Sequence, residues 1–232
     1  MKIEGSVALV TGANRGLGKV FAEKLLAAGA RKVYAGARDP MKVAIPGVVP
    51  IKLDITNSDD VKAAAAACGD VTILINNAGI AAPVPLLGGD VAEIAHREME
   101  TNYFGTWRVS SAFAPILVKN GGGALINILS VASWRSLAPL QSYSASKSAE
   151  WSLTNALRNE LKKDGTQVIG VHAGFIDTDL VSAFNAPKTS PEDIVARVLT
   201  ALENGEEEVL ADEVSRNVKA GLNAEPPVYR AA

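Results

Sequence analysis

The chain of 232 residues is 48% hydrophobic and 21% charged, a composition typical of a soluble globular protein and a length that suits one or two domains. Its formal net charge of -2 gives no general attraction to nucleic acid or to an anionic membrane. The single cysteine, Cys68, rules out an intramolecular disulfide, and neither a signal peptide nor an apolar run of membrane-spanning length is evident. We therefore expect a cytoplasmic protein that binds neither nucleic acid nor membranes.

A glycine-rich turn follows the first predicted strand. The strand covers residues 7–10, the turn has the sequence TGANRGLG over residues 11–18, and an amphipathic helix then extends to about Gly29. This order suits a dinucleotide-binding site, because glycines let the backbone approach a pyrophosphate and the helix N-terminus supplies free N–H groups. The alternative is a turn that binds no ligand.

The end of the second predicted strand, over residues 32–36, bears on the choice between NAD and NADP. In dinucleotide folds a carboxylate at this point selects the 2′-hydroxyl of NAD, whereas an arginine accepts the 2′-phosphate of NADP. The strand is followed by Ala37 and Arg38, and Arg15 lies in the glycine-rich turn. These residues favour NADP(H) over NAD(H), but two alternatives stay open: Asp39 can reach the ribose if Arg38 tilts outward, or Arg38 is only a solvated loop residue.

Two more strands are predicted over residues 48–53 and 71–75. The first ends at Asp54, which can accept a hydrogen bond from an adenine amino group or can simply be a turn residue. Ser58 is the predicted N-cap of the next helix, over residues 59–67. The second strand ends in Asn-Asn-Ala-Gly at 76–79, which suits a ligand lying across the carboxyl ends of an open sheet, with a structural turn as the alternative.

A helical stretch over residues 91–117 begins after Asp90, its predicted N-cap. It contains Asn102, a poor helix former whose presence requires either a kink or a function. A strand over residues 124–129 then brings Ser130 to its carboxyl end.

Tyr143 and Lys147 are four residues apart and share one face of a helix predicted over residues 143–163. An ammonium beside a phenol lowers the pKa of the phenol from about 10. Tyr143 can then transfer a proton near neutral pH. On spacing alone, a surface pair without function is the favoured reading of this motif, and the rest of the chain has to overturn it.

The remaining elements complete an alternation of strands and helices. A strand over residues 167–171 is followed by a short segment at 179–189, a helix from Ser190 to about Asn204, a strand at 209–210 and a polar, loosely held tail over 212–232. The alternation predicts one α/β domain, a doubly wound parallel sheet (Rossmann fold) in three αβα layers. We expect residues 1–100 to form the dinucleotide-binding half and residues 101–211 the catalytic half.

These motifs together resemble the short-chain dehydrogenase/reductase family over nearly the whole chain, in the order and spacing of that family. The matching residues are Thr11, Gly12, Gly16, Gly18, Asp54, Asn76, Asn77, Ala78, Gly79, Asn102, Ser130, Tyr143, Lys147 and Thr178.

The resemblance implies a catalytic role for four residues. Tyr143 would be the acid/base and Ser130 would stabilise the charge that develops on the substrate oxygen. Lys147 would lower the pKa of Tyr143 and hold the nicotinamide ribose, and Asn102 would hold a water of a proton relay. The cofactor contacts that it implies, with no metal, are Gly12, Asn14, Arg15, Gly16, Leu17, Gly18, Arg38, Asp54, Ile55, Asn76, Ala78, Gly79, Tyr143, Lys147, Gly174, Ile176 and Thr178.

Two departures from the family pattern concern the substrate side. His172 and Ala173 precede Gly174 where the family usually has Pro-Gly, and we expect His172 to be structural. The segment after Thr178 is shorter than in many relatives, which predicts a more open pocket. Residues that either line that pocket or pack in the core or an interface are Trp134, Leu137, Leu140 and Phe184.

The expected function is hydride transfer between NADP(H) and a small or medium ketone, aldehyde or secondary alcohol. A non-catalytic NAD(P)-binding regulator is the alternative from another class, and an NAD-dependent alcohol dehydrogenase or an epimerase on the same scaffold also stays open. Because relatives pair through the helices at 102–117 and 143–161, we expect a homodimer or homotetramer.

Overall fold

The computed structural model describes residues 1–87 and 91–230 and contains one sheet of seven parallel strands. Its strands are β1 (Val7–Thr11), β2 (Lys32–Ala37), β3 (Val49–Lys52), β4 (Ile73–Asn76), β5 (Ala124–Ile128), β6 (Gln167–His172) and β7 (Glu208–Leu210). Their order across the sheet is β3-β2-β1-β4-β5-β6-β7. The direction of strand addition reverses between β1 and β4, and open α/β sheets bind ligands at such a switch point. The predicted doubly wound fold is confirmed.

Helices cover both faces of the sheet. They are α1 (Gly16–Ala27), α2 (Ser58–Ala67), α3 (Val91–Glu98), a π-helical segment (Met99–Gly105), α4 (Thr106–Lys119), α5 (Gln141–Leu161), α6 (Pro191–Asn204) and α7 (Glu213–Gly221). Side chains of α1 and α6 pack on one face, and those of α2, α4 and α5 pack on the other. No helix among the described residues is long and apolar enough to cross a bilayer.

Strand β1 illustrates why two core layers form. Its residues alternate between the faces of the sheet, so that Ala8 and Val10 join the layer under α1 and α6, whereas Val7 and Leu9 join the layer under α2 and α4. Every residue of this strand is buried, which is why it reads in the sequence as an uninterrupted apolar run.

The predicted N-cap of α2 is wrong by one residue. The side chain of Asn57 accepts hydrogen bonds from the N–H groups of Asp59 and Asp60, at 2.9 and 3.1 Å. Ser58 is instead the first helical residue. Asn and Ser both satisfy a helix start, and the one whose backbone is extended takes the cap. Asp90, the N-cap predicted for α3, lies outside the described residues.

The prediction of a loosely held tail is also wrong. The side chain of Asp212 accepts from the N–H of Ser215 at 2.7 Å, and Ser215 caps back, so that a capping box starts α7. Val218 on this helix is buried against Val131 and Trp134. A helix start followed by one apolar anchor therefore orders a segment whose composition reads as polar.

Gly123, at the start of β5, tests how tightly the sheet fixes its turns. Its φ is +64°, and a Cβ there would overlap the carbonyl oxygen of Thr72. We expect Gly123→Ala to lose about 1–2 kcal/mol of unfolding free energy from the left-handed backbone and about 1–3 kcal/mol more from overpacking. Gly165→Ala is the control, because its φ is +71° and its Cβ would meet nothing within 4 Å. Equal losses for both variants in urea unfolding would contradict the clash.

Candidate active site

The carboxyl ends of β1 and β4 are joined into one unit by Thr11. Its hydroxyl oxygen accepts hydrogen bonds from the N–H groups of Asn77 and Ala78, at 2.9 and 3.0 Å. The side-chain amide of Asn77 donates in return to the carbonyl oxygen of Thr11 at 2.9 Å. The glycine-rich turn and the 76–79 segment therefore move together as one side of a cleft at the switch point.

The glycines of this turn are required by close approach. Gly12 and Gly16 have φ of +66° and +54°, and a Cβ on Gly18 would overlap the carbonyl oxygen of Gly12. A Cβ on Gly16 would lie 3.4 Å from the side chain of Thr178, so the loop after β6 reaches the turn. No side chain in the described parts of the chain caps the start of α1, and such a helix end favours a phosphate. This cradle fits a dinucleotide pyrophosphate.

The residues predicted to choose the cofactor lie at the outer end of the cleft. Arg38 is exposed and forms no ion pair within 1–87 or 91–230. Arg15 is paired with Asp179 at 3.3 Å, and both side chains are exposed. The carboxylate of Asp39 accepts from the N–H of Met41 at 3.1 Å and so caps its own turn.

Two predicted cofactor contacts near this end have neighbours of their own. Asp54 accepts from the N–H and the hydroxyl of Thr56, at 2.9 and 2.7 Å, which is the turn role left open for it. The carbonyl oxygen of Ile55 accepts from Arg108 at 2.7 Å.

The side chain of Asn76 does not face the cleft. Its amide donates to Ser110 at 3.0 Å and to Asn127 at 2.9 Å, inside the layer between the sheet and α4. Asn76 is 3% exposed. The cofactor contact predicted for this residue can therefore involve only its main chain, because its side chain is buried behind the end of β4 and bonded to α4 and β5.

Asn102 lies in the π-helical segment, which explains an asparagine within helical sequence. Its side-chain oxygen accepts from the N–H of Ile80 at 2.9 Å, and its amide donates to the carbonyl oxygen of Ile80 at 2.9 Å and to Ser146 at 2.8 Å. Asn102 thus ties the loop after β4 to α5. It also lies beside Gly79, where a Cβ would be 3.2 Å from its side-chain oxygen and 3.8 Å from Nζ of Lys147.

Ser130, Tyr143 and Lys147 meet where β5 ends and α5 begins. Ser130 and Tyr143 line the same cavity, and Nζ of Lys147 lies 5.9 Å from the centre of the Tyr143 ring. Lys147 donates to the carbonyl oxygen of Ile128 at 2.7 Å and to Oε2 of Glu150 at 2.6 Å. Glu150 was missed in the sequence, where its position three residues after Lys147 was the available signal.

The pKa of Tyr143 lies above its ordinary value of 10, so the expected net lowering by Lys147 is wrong for the protein alone. Burial raises the pKa of Tyr143 most, the charge of Lys147 and a hydrogen bond from Ser130 lower it, and the carboxylates of Glu150 and Glu98 raise it further. Burial disfavours the phenolate more than one ammonium favours it.

A cavity of about 220 Å³ opens beside Ser130 and Tyr143, and most of its wall is apolar. Its lining comprises Ala81, Ser130, Val131, Arg135, Leu137, Leu140, Tyr143, Gly174, Phe175, Leu180, Val181, Phe184, Ala186, Pro187, Val214 and Val218. Leu137, Leu140 and Phe184 thus lie where a substrate-pocket role predicts. The other lining side chains from 179–187 (Leu180, Val181, Ala186 and Pro187) and those of α7 (Val214 and Val218) were missed, because those segments read as loop and tail.

Trp134 has the packing role and not the pocket role. Its ring stacks on His172 with centroids 3.7 Å apart, and it meets Trp151 edge to face at 6.4 Å. The ammonium of Lys219 lies 4.8 Å from the Trp134 ring. The pocket prediction for Trp134 is wrong because the β5–α5 turn directs its ring away from the cavity, under α7.

Comparison with known proteins agrees with this geometry. Residues 6–189 match the model of the short chain dehydrogenase family. A 3-oxoacyl-[acyl-carrier-protein] reductase from Vibrio cholerae is 34% identical over 194 residues, which cover 80% of this chain and 79% of that protein. An uncharacterized oxidoreductase from Staphylococcus aureus (strain N315) is 32% identical over 213 residues, covering 84% and 90%.

Solved structures agree as well. A short chain dehydrogenase from Burkholderia cenocepacia in complex with NADP has a TM-score of 0.94 and 44% identity, covering 97% of this chain and 96% of that one. A 3-ketoacyl-(acyl-carrier-protein) reductase from Brucella melitensis complexed with NADH has a TM-score of 0.82 and 27% identity, covering 90% and 96%.

The chain belongs to the short-chain dehydrogenase/reductase family. It is therefore an oxidoreductase of the class whose solved members named above hold NADP or NADH.

The chain departs from the expected family pattern at His172, and the structure gives that residue a packing role. Besides stacking on Trp134, its Nδ1 donates to the carbonyl oxygen of Ser130 at 3.1 Å, which holds the end of β5 against β6. Gly174 follows, and its N–H donates to Asp212 at 2.7 Å.

Backbone contacts join the residues on either side of the short segment after Thr178. Ile176 bridges to Thr189, and the N–H of Thr189 donates to the carbonyl oxygen of Phe175 at 2.9 Å. Phe175 stacks on Phe184 with ring centres 5.2 Å apart. This short segment and α7 together form the outer wall of the cavity.

The burial of His172 predicts an acid-sensitive component of stability. Burial lowers the pKa of His172 from 6.5 to about 4, against the opposing hydrogen bond to Ser130. The unfolded chain therefore binds the extra proton below pH 6.5, and the folded state loses about 2 kcal/mol between about pH 7 and about pH 5. His172→Phe should remove that part of the pH dependence in urea unfolding. His96→Phe, at the exposed second histidine, should keep it, and equal slopes for wild type and His172→Phe would contradict a neutral buried His172.

Proposed function

We propose that the protein transfers a hydride between NADP(H) and a carbonyl compound or secondary alcohol, as a ketone or aldehyde reductase or alcohol dehydrogenase. The observation that carries the proposal is the shared cavity of Ser130 and Tyr143, with Lys147 beside it and next to Gly79 of the cofactor cleft. A protein that only bound a dinucleotide would need the cradle of glycines but not a phenol and a hydroxyl that line one cavity at the end of it.

NADP(H), when bound, would supply or accept the hydride at the substrate carbon. Ser130 and Tyr143 would both face the substrate oxygen. Because burial holds the pKa of Tyr143 above 10, its hydroxyl is protonated at neutral pH and can give its proton to that oxygen during reduction. In the reverse direction the Tyr143 oxygen would take the hydroxyl proton of the alcohol, and Ser130 would donate a hydrogen bond to the oxygen that gains charge.

Lys147 and Asn102 would support this transfer from the other side of Tyr143. Lys147 would hold the nicotinamide ribose, since its Nζ lies next to Gly79 at the inner end of the cleft. Both donors of the Asn102 amide are used by Ile80 and Ser146. The relay water expected there would therefore contact its remaining acceptor capacity or its main chain.

The cofactor would be NADP(H) in preference to NAD(H). Arg38 is exposed at the end of β2 and Arg15 is nearby in the turn, whereas the competing Asp39 carboxylate is engaged in its own turn. A 2′-phosphate would give both guanidiniums a dianionic partner, and would replace Asp179 as the partner of Arg15. The 44% identical Burkholderia cenocepacia relative in complex with NADP supports the same choice.

The substrate would be small or medium in size and largely apolar near its carbonyl. Among the described residues that line the cavity of about 220 Å³, Arg135 is the one with a charged side chain, and the others are mostly aliphatic and aromatic. Buried apolar surface would contribute most of the binding energy, and Ser130 and Tyr143 would fix the orientation.

The protein would assemble as a homodimer or homotetramer through α4 and its π-helical start. Phe104 and Trp107 are 44% and 45% exposed there, and Tyr103 packs against both rings. Adjacent exposed aromatic side chains are typical of protein interfaces.

Tyr143→Phe tests the proton transfer. NADPH-dependent reduction over a panel of ketones and aldehydes should fall about 10²–10⁴-fold, because the ring is kept and only the proton donor is lost. NADPH binding, followed by fluorescence, should change little. Tyr229→Phe, at an exposed tyrosine, should retain wild-type rates. Tight NADPH binding by the wild type with no turnover of any carbonyl compound would instead favour a regulator.

Arg38→Asp tests the cofactor choice. It should weaken NADPH binding about 10–100-fold, the loss of a charge-assisted contact to a phosphate, and should leave NADH binding within about threefold. Arg31→Asp, an exposed arginine at the start of β2, controls for the change in net charge. Equal losses of NADPH and NADH affinity would reject NADP as the preferred cofactor.

A further inference from the structure

Glu150 is a buried carboxylate in direct contact with Lys147. Their side chains are 2% and 6% exposed, and Oε2 of Glu150 lies 2.6 Å from Nζ of Lys147. Exposed pairs of this spacing on helices contribute little to stability, whereas a buried carboxylate carries a large desolvation cost. We therefore expect the role of Glu150 to lie in its electrostatic effect on Lys147 and not in a contribution to stability.

The neighbours of Glu150 fix it from two elements. On α5 it pairs with Lys147, and burial raises the pKa of Glu150 while Lys147 and the Thr106 hydroxyl at the start of α4 oppose that rise. Thr106 directly follows the π-helical segment that holds Asn102. The carboxylate thus links the support of Lys147 to the segment that ties down the loop at Ile80.

Glu150 also changes what Lys147 does to Tyr143. An ammonium has three donors, and two of those of Lys147 are used by Glu150 and by the carbonyl oxygen of Ile128 at 2.7 Å. The negative charge of Glu150 offsets the positive charge that would otherwise stabilise a Tyr143 phenolate.

The other groups near the Tyr143 hydroxyl do not offset the charge of Lys147 in the way that its direct partner Glu150 does. Glu98, on α3, acts in the same direction as Glu150 on the pKa of Tyr143, and the Ser130 hydroxyl acts in the opposite direction. Arg135 lines the same cavity. Lys147 and Glu150 form a buried ion pair on α5, and Nζ of Lys147 lies 5.9 Å from the centre of the Tyr143 ring.

We propose that Glu150 is a positioning residue that neutralises Lys147 and thereby keeps Tyr143 in its protonated, proton-donating form up to a higher pH than Lys147 alone would allow. The pH at which Tyr143 changes from donor to acceptor is then set by the pair and not by Lys147 alone. This inference rests on the proposed function, in which Tyr143 exchanges a proton with the substrate oxygen.

Glu150→Gln tests the inference, because it keeps the shape and removes the charge. The pKa of Tyr143 is read from the ultraviolet absorbance of its phenolate in the NADPH-bound protein, as the difference between each protein and its Tyr143→Phe counterpart. We expect Glu150→Gln to lower this pKa by about one pH unit or more, since the ammonium is no longer balanced. An unchanged or raised pKa overturns the inference.

The pH dependence of alcohol oxidation with NADP gives a second readout. Its rise with pH should move downward by the same shift in Glu150→Gln, a change that a purely structural loss of activity would not produce. Glu160→Gln, at an exposed residue of the same helix, should leave the profile of the wild type. A downward shift in Glu160→Gln of equal size would also overturn the assignment to Glu150.

A conservative variant covers the case in which Glu150→Gln does not fold. Glu150→Asp keeps the charge but shortens the side chain, so the pKa of Tyr143 should fall by less than one unit and stay closer to that of the wild type. A raised value, or a fall of one unit or more, contradicts the inference. The absorbance titration does not need turnover, so a wild type that reduces no carbonyl compound refutes the proposed function and leaves the role of Glu150 to be decided by the titration.

Discussion

The ammonium of Lys147 is withdrawn from water and held by the carbonyl oxygen of Ile128 and the carboxylate of Glu150. A buried charge without such partners would cost several kcal/mol, so the elements that supply them must meet at fixed distances. The end of β5, at Ile128, and the second turn of α5, at Lys147, lie side by side and meet this condition. The same arrangement brings Ser130 and Tyr143 to one cavity, so the geometry of the site follows from the need to give one buried ammonium its hydrogen-bond partners.

The π-helical segment performs a comparable task for a neutral group. An extra residue in a helical turn rotates Asn102 inward, where its amide bonds both to Ile80 and to Ser146. The loop after β4 and the helix that carries Tyr143 are therefore connected by one side chain. Thr11 binds residues 77 and 78, just before Ile80, to the glycine-rich turn. The hydrogen bonds of Thr11 and Asn102 therefore link that turn, the loop after β4 and the helix that carries Tyr143.

The features that sequence could predict are those that depend on short spacing. Fully buried strands read as apolar runs, and the glycine turn and the Tyr143–Lys147 pair are each defined within a few residues. The features that it could not predict depend on packing between distant elements. In the sequence Glu150 reads as an ordinary helix surface residue, and its burial follows only from the packing of α5 on α4. The motif shows Lys147, which lowers the pKa of Tyr143, but it does not show the burial that raises this pKa by more. The order of α7 follows in the same way from Val218 meeting Trp134.

The position of α7 has a consequence for how substrate choice can diverge among related chains. The match to the family ends at residue 189, yet Val214 and Val218 line the cavity beyond that point. Lys219 lies over the Trp134 ring, which also stacks on His172. The glycine-rich turn, Ser130 and Tyr143 lie within the matched part, as does most of the cavity wall. Substitutions in α7 can therefore reshape one side of the cavity while those residues stay unchanged.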